Sequence, residues 1–101
     1  MINSIVEIGS PLANELGFTA DKFDGYLWRI DNEIVISLII SLDPEMGNFR
    51  ALVKRIKENG FTVAVPTPLG RMKSILIKWG FERQLRYEKT INTNVEYWVC
   101  A

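Results

Sequence analysis

A turn between an apolar strand and an amphipathic helix, residues 42–51, carries the residue types from which an anion site is built. Gly47 lets the backbone turn sharply, and the helix that follows begins with backbone N–H groups that have no acceptor within the helix. Such amides, at the positive end of the helix dipole, bind phosphate. Arg50 falls in the first turn, where a cation is unfavourable unless an anion is shared. The turn therefore predicts a phosphate site.

A simpler interpretation of Arg50 stays open. Its guanidinium can point into solvent and pair with Asp43 or Glu45 of the same turn. Ion pairs of this kind are common at protein surfaces and stabilise weakly. The residue types alone do not decide between such a pair and a bound phosphate.

Several kinds of catalysis are excluded by composition. The chain has no histidine, so neither a Ser-His-Asp nor a Cys-His arrangement is available. The carboxylates show no clustered spacing, so we expect no metal site. Cys100 is the only cysteine, which is typical of a reduced, cytoplasmic protein. We expect no signal peptide, because the first basic residue is Lys22, and no membrane span, because the longest apolar run, residues 34–42, is too short.

Length and charge limit the remaining classes. A chain of 101 residues with 48% hydrophobic content predicts a single domain over residues 1–101. Twelve basic and twelve acidic residues give a formal net charge of zero, so we do not expect nucleic acid as a partner. Local basic helix faces, residues 54–57 and 71–78, are typical of the solvent side of an amphipathic helix, although they could also flank a phosphate.

The elements that position the turn follow from hydrophobic spacing. Strands are predicted at residues 2–8, 26–30, 34–42 and 61–65, and a final antiparallel hairpin at 83–91 and 95–100, turning at 92–94. Ser10 and Pro11 begin a short first helix. Phe49, Leu52, Val53 and Ile56 form one apolar helical stripe, with Asn48 as the expected cap, and Met72, Ile75, Leu76 and Trp79 form another.

The fold class follows from this order. Residues 34–42 are apolar at nearly every position, which predicts a central strand covered on both faces. A strand, a helix and a second strand at 61–65 predict a right-handed crossover and a parallel pair, 34–42 beside 61–65. We therefore expect an α/β fold, with a mixed central sheet flanked by helices and a C-terminal antiparallel hairpin. The parallel strands should diverge at their C-terminal ends.

From Tyr26 to Cys100 the sequence resembles the GNAT acyltransferases. In that family the fourth strand leads into a turn of the form Arg/Gln-x-x-Gly-x-Gly/Ala, whose amides hold the pyrophosphate of acetyl-CoA. Here the corresponding turn, Asp43 to Arg50, keeps Pro44 and Gly47 but lacks the arginine and the second glycine, is slightly shorter, and has Asn48 and Phe49 where small residues are usual.

A second family segment, Asn-x-x-Ala-x-x-x-Tyr-x-x-x-Gly-Phe, resembles residues 69–81. Gly80 and Phe81 are kept, whereas Leu76 stands at the position of the tyrosine that acts as the acid for the departing thiolate. Met72 and Leu69 stand at the alanine and asparagine positions. The residues that shape the fold are therefore retained, and the polar ones are not.

The resemblance implies a small GNAT-like acyltransferase that moves an acetyl group from acetyl-CoA to an unknown amine acceptor. The cofactor would lie between the parallel strands, against the backbone of Leu42, Gly47, Asn48, Phe49, Arg50 and Ala51. The alternative is a non-catalytic GNAT-fold interaction module with a protein partner, of phage or mobile-element type given its small size.

Catalytic residues are not assigned by the sequence. Glu33 or Asp31 could act as a base through water, and Tyr87 or Tyr97 could replace the missing acid. Each of the four is more often a solvated turn charge or a half-buried sheet aromatic than a catalytic group. Trp98 and Tyr97 point to opposite faces of the last strand, so one of them can mark a contact surface and a homodimer through the last hairpin is a further expectation.

Overall fold

The computed structural model describes residues 3–41, 47–68 and 70–100, with residues 37–41 described as backbone alone. The described residues form a mixed α/β fold of six strands and three helices. Their order is β1 (Asn3–Glu7), α1 (Pro11–Leu16), β2 (Phe23–Ile30), β3 (Glu33–Ser41), α2 (Asn48–Glu58), β4 (Thr62–Pro66), α3 (Arg71–Lys78), β5 (Glu82–Glu88) and β6 (Thr93–Cys100). The predicted order of elements is confirmed, with strand ends displaced by a few residues.

The described strands form one mixed sheet in the order β1-β2-β3-β4-β6-β5. Strand β3 pairs with β4 in parallel, and the other neighbouring strands pair antiparallel. The parallel pair and the C-terminal hairpin are therefore confirmed. The turn predicted to bind phosphate, residues 42–51, follows β3, the third described strand. The GNAT resemblance instead implies that this turn follows a fourth strand.

All three described helices lie on one face of the sheet. Ile34 and Ile36 of β3 belong to the main hydrophobic core, whereas Val35 between them does not. Each described helix contributes buried residues to that same core, namely Ala13, Leu16, Leu52, Val53, Ile56 and Leu76. The apolar helical stripes are thus only partly buried as predicted, since Phe49, Met72, Ile75 and Trp79 are half-buried.

Residues 34–36 of β3 are buried on both faces, as predicted, but the described helices cover only one of them. Two crossovers, β3-α2-β4 and β4-α3-β5, run in the same direction along the sheet. Because such crossovers are right-handed, both place their helices on the same face. The opposite face, called here the open face, carries no described helix, and Val35 and Ala64 are buried there among neighbouring strands.

Local signals explain where the described helices begin and end. Ser10 caps α1, because its Oγ accepts a hydrogen bond from Ala13 N at 3.3 Å. The predicted cap of α2 is wrong by one residue: Gly47 in a left-handed conformation, φ 73°, precedes the helix, and Asn48 is its first residue. Glycine adopts this conformation without the steric cost of a Cβ atom.

The final hairpin turns earlier than predicted. Strand β5 ends at Glu88 and β6 begins at Thr93, so the turn is residues 89–92 rather than 92–94. Asn92 takes a left-handed conformation, φ 52°, which asparagine tolerates better than most residues. None of the described helices has the length and apolar character needed to cross a membrane.

Candidate functional site

The segment predicted to bind an anion lies at the edge of the sheet at which α2 begins. The first hydrogen bond of α2 runs from Ala51 N to Gly47 O at 3.1 Å. The amides of Asn48, Phe49 and Arg50 therefore have no acceptor within the helix. They lie beyond the end of β3, on the same edge as the end of β4.

The parallel strands separate on the way to this edge. Their described register has three residue pairs, Glu33 with Thr62, Ile34 with Val63 and Val35 with Ala64. Both strands continue beyond these pairs, β3 to Ser41 and β4 to Pro66, without a further described pair between them. The pairing is therefore short, as the predicted divergence requires, and we call the space between the unpaired parts of β3 and β4 the strand gap.

The side chains predicted to bind the cofactor do not all face one cavity. Arg50 lines a groove of about 630 Å³ between α2 and the end of α3. Asn48 and Ala51 line a smaller groove of about 240 Å³ on the α1 side of α2. The ring of Phe49, in the first turn of α2, stacks on the ring of Trp79 at the end of α3, with centroids 5.7 Å apart. The side chains of this segment are therefore distributed over different sides of α2.

Part of the predicted site lies outside the described residues. This applies to Leu42, to Pro44 and to Leu69, which stands at the family's asparagine position. It also applies to Asp43 and Glu45, the alternative partners of Arg50. Within the described residues Arg50 has no ion pair.

The position of the family's acid is part of the hydrophobic core. Leu76, at the tyrosine position, is 0% exposed. It faces the sheet from α3 and belongs to the main hydrophobic core. A thioester between β3 and β4 would therefore meet an aliphatic side chain there and no proton donor.

The open face brings together two of the residues considered as catalytic candidates. Both guanidinium Nη atoms of Arg86 donate to Glu33, at 2.7 Å to Oε1 and 3.0 Å to Oε2. The same guanidinium lies over the ring of Tyr97, 4.7 Å from its centroid. We call Glu33, Arg86 and Tyr97 the open-face cluster. Sequence analysis missed Arg86, because the two residues of the ion pair are 53 positions apart and no local pattern predicts their contact.

Tyr97 lies on β6, so β4 separates it from the strand gap. It pairs with Pro66, the last residue of β4, and therefore lies at the end of β4 to which the gap leads. Burial raises the pKa of the Tyr97 phenol above its ordinary value, and the carboxylates of Glu88 and Glu33 raise it further, while Arg86 opposes them. The phenol therefore stays protonated at neutral pH and can donate a proton or a hydrogen bond.

Glu33 and the start of α2 lie far apart. Eight strand steps of about 3.3 Å separate Glu33 from Ser41, a distance of about 26 Å along β3. Glu33 cannot touch a phosphate at Gly47, so only an extended ligand could reach both ends of the gap. Both carboxylate oxygens of Glu33 are held by Arg86, which favours a role in positioning the guanidinium.

The other two candidates lie away from the gap. Tyr87 is exposed, and its hydroxyl hydrogen-bonds to Asn92 within the turn of the last hairpin. Asp31 lies in the turn between β2 and β3, where its backbone oxygen accepts a hydrogen bond from Arg29 at 3.1 Å. Among residues 3–41, 47–68 and 70–100 no group of three or more metal-ligating side chains lies together.

Comparison with family models, with curated proteins and with solved structures finds no match to this chain. The candidate site therefore rests on its own geometry. The strand gap, the free amides at the start of α2 and the open-face cluster are its parts.

Proposed function

We propose that the chain is a GNAT-like acyltransferase that binds acetyl-CoA in the gap between β3 and β4. The observation that carries the proposal is the parallel pair that separates after three residue pairs, with a helix beginning at a left-handed glycine on the edge to which the gap leads. The cofactor phosphates bind the amides of Asn48, Phe49 and Arg50. The thioester arm follows the gap away from that edge.

Tyr97 is the proposed acid for the departing thiolate. It lies beside the end of β4, and its raised pKa keeps it protonated at neutral pH. Arg86 and Glu33 hold the phenol in place and supply a positive charge near the thioester. General acid assistance of this kind is worth about 10²- to 10⁴-fold in rate.

Direct acyl transfer also determines which bonds form and which break. A deprotonated amine attacks the thioester carbonyl and forms the C–N bond, the C–S bond breaks, and the thiolate takes a proton from the acid. The nitrogen loses a proton to water, and the acid is reprotonated from water. The products are an amide and free CoA. The acceptor would be an amine that approaches from the open face, where no described helix blocks its way.

The second candidate is a non-catalytic interaction module with the same fold. It is favoured by the burial of Leu76 at the family's acid position. A core leucine there preserves packing and supplies no proton donor. In this case the cytoplasmic domain keeps its scaffold, and a protein partner or a second copy replaces the cofactor.

Calorimetric titration with acetyl-CoA separates the two candidates. The acyltransferase predicts saturable binding by the wild-type chain and a rise in melting temperature, because a ligand bound only to the folded state stabilises it by mass action. Absence of both heat and thermal shift at millimolar acetyl-CoA would contradict the enzyme and leave the module.

Two variants test where the phosphates bind. Arg50→Glu reverses a charge beside the free amides and should weaken acetyl-CoA binding, whereas Lys89→Glu makes the same kind of charge change in the turn of the last hairpin and should not. Gly47→Asn introduces a residue that also tolerates φ 73°, and it places a side chain beside the amides. Gly47→Val is less informative, because a β-branched residue is strained at this φ and can disturb the fold.

A further inference from the structure

The groove between α2 and the end of α3 is strongly basic although the chain as a whole is neutral. Its rim carries four cationic side chains and one carboxylate, a local formal charge of +3, against a net charge of zero for the chain. The residues concerned are Arg50, Lys54, Lys57, Lys78 and Glu58. Charges of one sign lining a cleft attract a ligand of the opposite sign.

None of these cations forms an ion pair with another described residue. The described ion pairs involve Lys73, Arg83 and Arg86, and none involves a cation of the groove. Arg55, on the other side of α2, instead holds α1 through hydrogen bonds to Glu15 O at 2.6 and 3.2 Å. The helix dipole accounts for Lys57 and Lys78, which lie in last turns, but not for Lys54 or Arg50.

The spacing of the cations suits an extended chain of alternating side chains. Arg50, Lys54 and Lys57 lie on one side of α2, and a rise of 1.5 Å per residue separates them by about 6 and 4.5 Å along the axis. In an extended peptide, side chains on the same side recur every 6 to 7 Å or so. Carboxylates at alternate positions can therefore meet successive cations of this row.

The floor of the groove is apolar. Val53 and Phe81 are 6% and 5% exposed, and Trp79 and Cys100 lie beside them half-buried. A floor of this kind accepts aliphatic side chains, and a basic rim around it gives the arrangement of an apolar centre and a polar periphery that is common in protein interfaces. The volume, about 630 Å³, falls within the range of roughly 300 to 1,000 Å³ that is typical of small-ligand sites.

We infer that this groove binds a short acidic peptide segment of a partner protein, with carboxylates on the cationic row and apolar side chains on the floor. A single-stranded nucleic acid fits the charges but not the floor, since bases need open aromatic faces. Phe81 is buried, and one face of Trp79 is stacked on Phe49. The inference does not require acyl transfer. Because Arg50 borders both this groove and the proposed phosphate site, the test variants are at Lys54 and Lys57, which lie outside that site.

The test is a fluorescence anisotropy titration of the full chain with a labelled synthetic peptide of about ten residues, with glutamates at alternate positions and leucines between them. We expect saturable binding below about 1 mM. Replacement of the leucines by serines should weaken it at least severalfold, because the floor is then unused. A thymidine oligonucleotide of equal charge should bind at least tenfold more weakly than the peptide.

Charge reversal locates the site. Lys54→Glu with Lys57→Glu should weaken peptide binding at least tenfold, whereas Lys89→Glu, an equivalent change in the hairpin turn, should leave it unchanged. Circular dichroism and thermal melting check that the double variant folds; if it does not, Lys54→Gln alone should still weaken binding severalfold. Lys54→Arg, which keeps the positive charge, should bind the peptide about as tightly as the wild-type chain does.

Four results would overturn the inference. These are no peptide binding up to 1 mM or so, equal binding by the folded double variant, an oligonucleotide that binds as tightly as the peptide, or displacement of the peptide by acetyl-CoA. The last would assign the groove to the cofactor phosphates. Failure of the proposed acyltransferase would appear separately, as absence of acetyl-CoA binding with peptide binding intact.

Discussion

The two faces of the sheet differ in what their side chains do. The helix-covered face holds the main core, in which no described polar or charged residue is buried. The open face carries an ion pair, a cation over an aromatic ring and a tyrosine of raised pKa. The comparison leads to an expectation that rests on the proposed function. Substitutions in the core should change the free energy of unfolding most, whereas substitutions in the open-face cluster should change acyl transfer and have smaller effects on unfolding.

The largest expected effect comes from the core. Leu76→Ala should lower the free energy of unfolding by about 2 to 5 kcal/mol, since it leaves a cavity where the side chain is 0% exposed. Leu85→Ala, at a leucine that is 57% exposed, should change it by less than about 0.5 kcal/mol. Urea denaturation measures both. Equal effects would mean that Leu76 is not part of the core described here.

The burial of Leu76 also determines the expected effect of Leu76→Tyr. A larger, polar side chain in a packed core costs about 1 to 3 kcal/mol. Restoring the family's acid at this position should therefore destabilise the chain without increasing acyl transfer.

On the open face, Tyr97→Phe should lower acyl transfer about 100-fold while leaving acetyl-CoA affinity and unfolding nearly unchanged, because it removes the proposed proton donor and little else. The rate of acyl transfer is measured as the release of free thiol from acetyl-CoA. Spermidine, lysine and a short peptide serve as acceptor probes. Tyr87→Phe is the matched control, since Tyr87 lies in the exposed part of the last hairpin. An unchanged rate in Tyr97→Phe would remove Tyr97 from the mechanism.

A smaller effect is expected from the ion pair of the open-face cluster. Glu33→Gln replaces a charged acceptor of Arg86 and should cost about 1 kcal/mol in unfolding free energy, as for a partly exposed bidentate pair. Glu82→Gln, at an exposed glutamate of β5, should cost less. Identical denaturation midpoints for both variants would show that the Glu33–Arg86 pair does not stabilise the fold.

The smallest effect is a pH dependence. A hydrogen bond from Trp98 lowers the pKa of Glu96 below its usual 4.5, and the cations Lys73 and Arg83 add to the shift. A carboxylate whose pKa is lowered by folding stabilises the protein above its unfolded pKa, and this contribution is lost as the pH falls through the folded value. Below pH 4.5, the free energy of unfolding should therefore fall less steeply with decreasing pH in Glu96→Gln than in the wild-type chain. An equally steep fall in both proteins would contradict this prediction.

Local patterns predicted most of the architecture. The apolar run of β3, the stripe on α2 and the run of β4 all lie within 34 consecutive residues, so spacing and crossover handedness suffice to predict a parallel pair. The same apolar run predicted burial on both faces, which residues 34–36 show, but it could not predict that all described helices lie on one face. An apolar run says that a strand is buried, whereas helix position depends on the direction of both crossovers.

The candidate site was predictable only in part. Gly47 and the helix after it are neighbours in sequence, so their free amides follow from local rules. Asn48 was preferred as the cap because of its side chain, but the left-handed glycine before it begins the helix. The pair of Glu33 and Arg86 joins β3 to β5 across the sheet, and its formation depends on the complete strand order. Such contacts have no signature in a single sequence.

The most direct test of the account is a two-dimensional ¹H–¹⁵N spectrum of the labelled chain, titrated with acetyl-CoA. The account predicts that the amide signals of Gly47, Asn48, Phe49 and Arg50 shift most, followed by those along the strand gap, including Val65 and Tyr97. Signals of Lys57 and Lys78, in the basic groove, should shift little. Largest shifts in that groove, or no shift at millimolar acetyl-CoA, would contradict the proposed cofactor site.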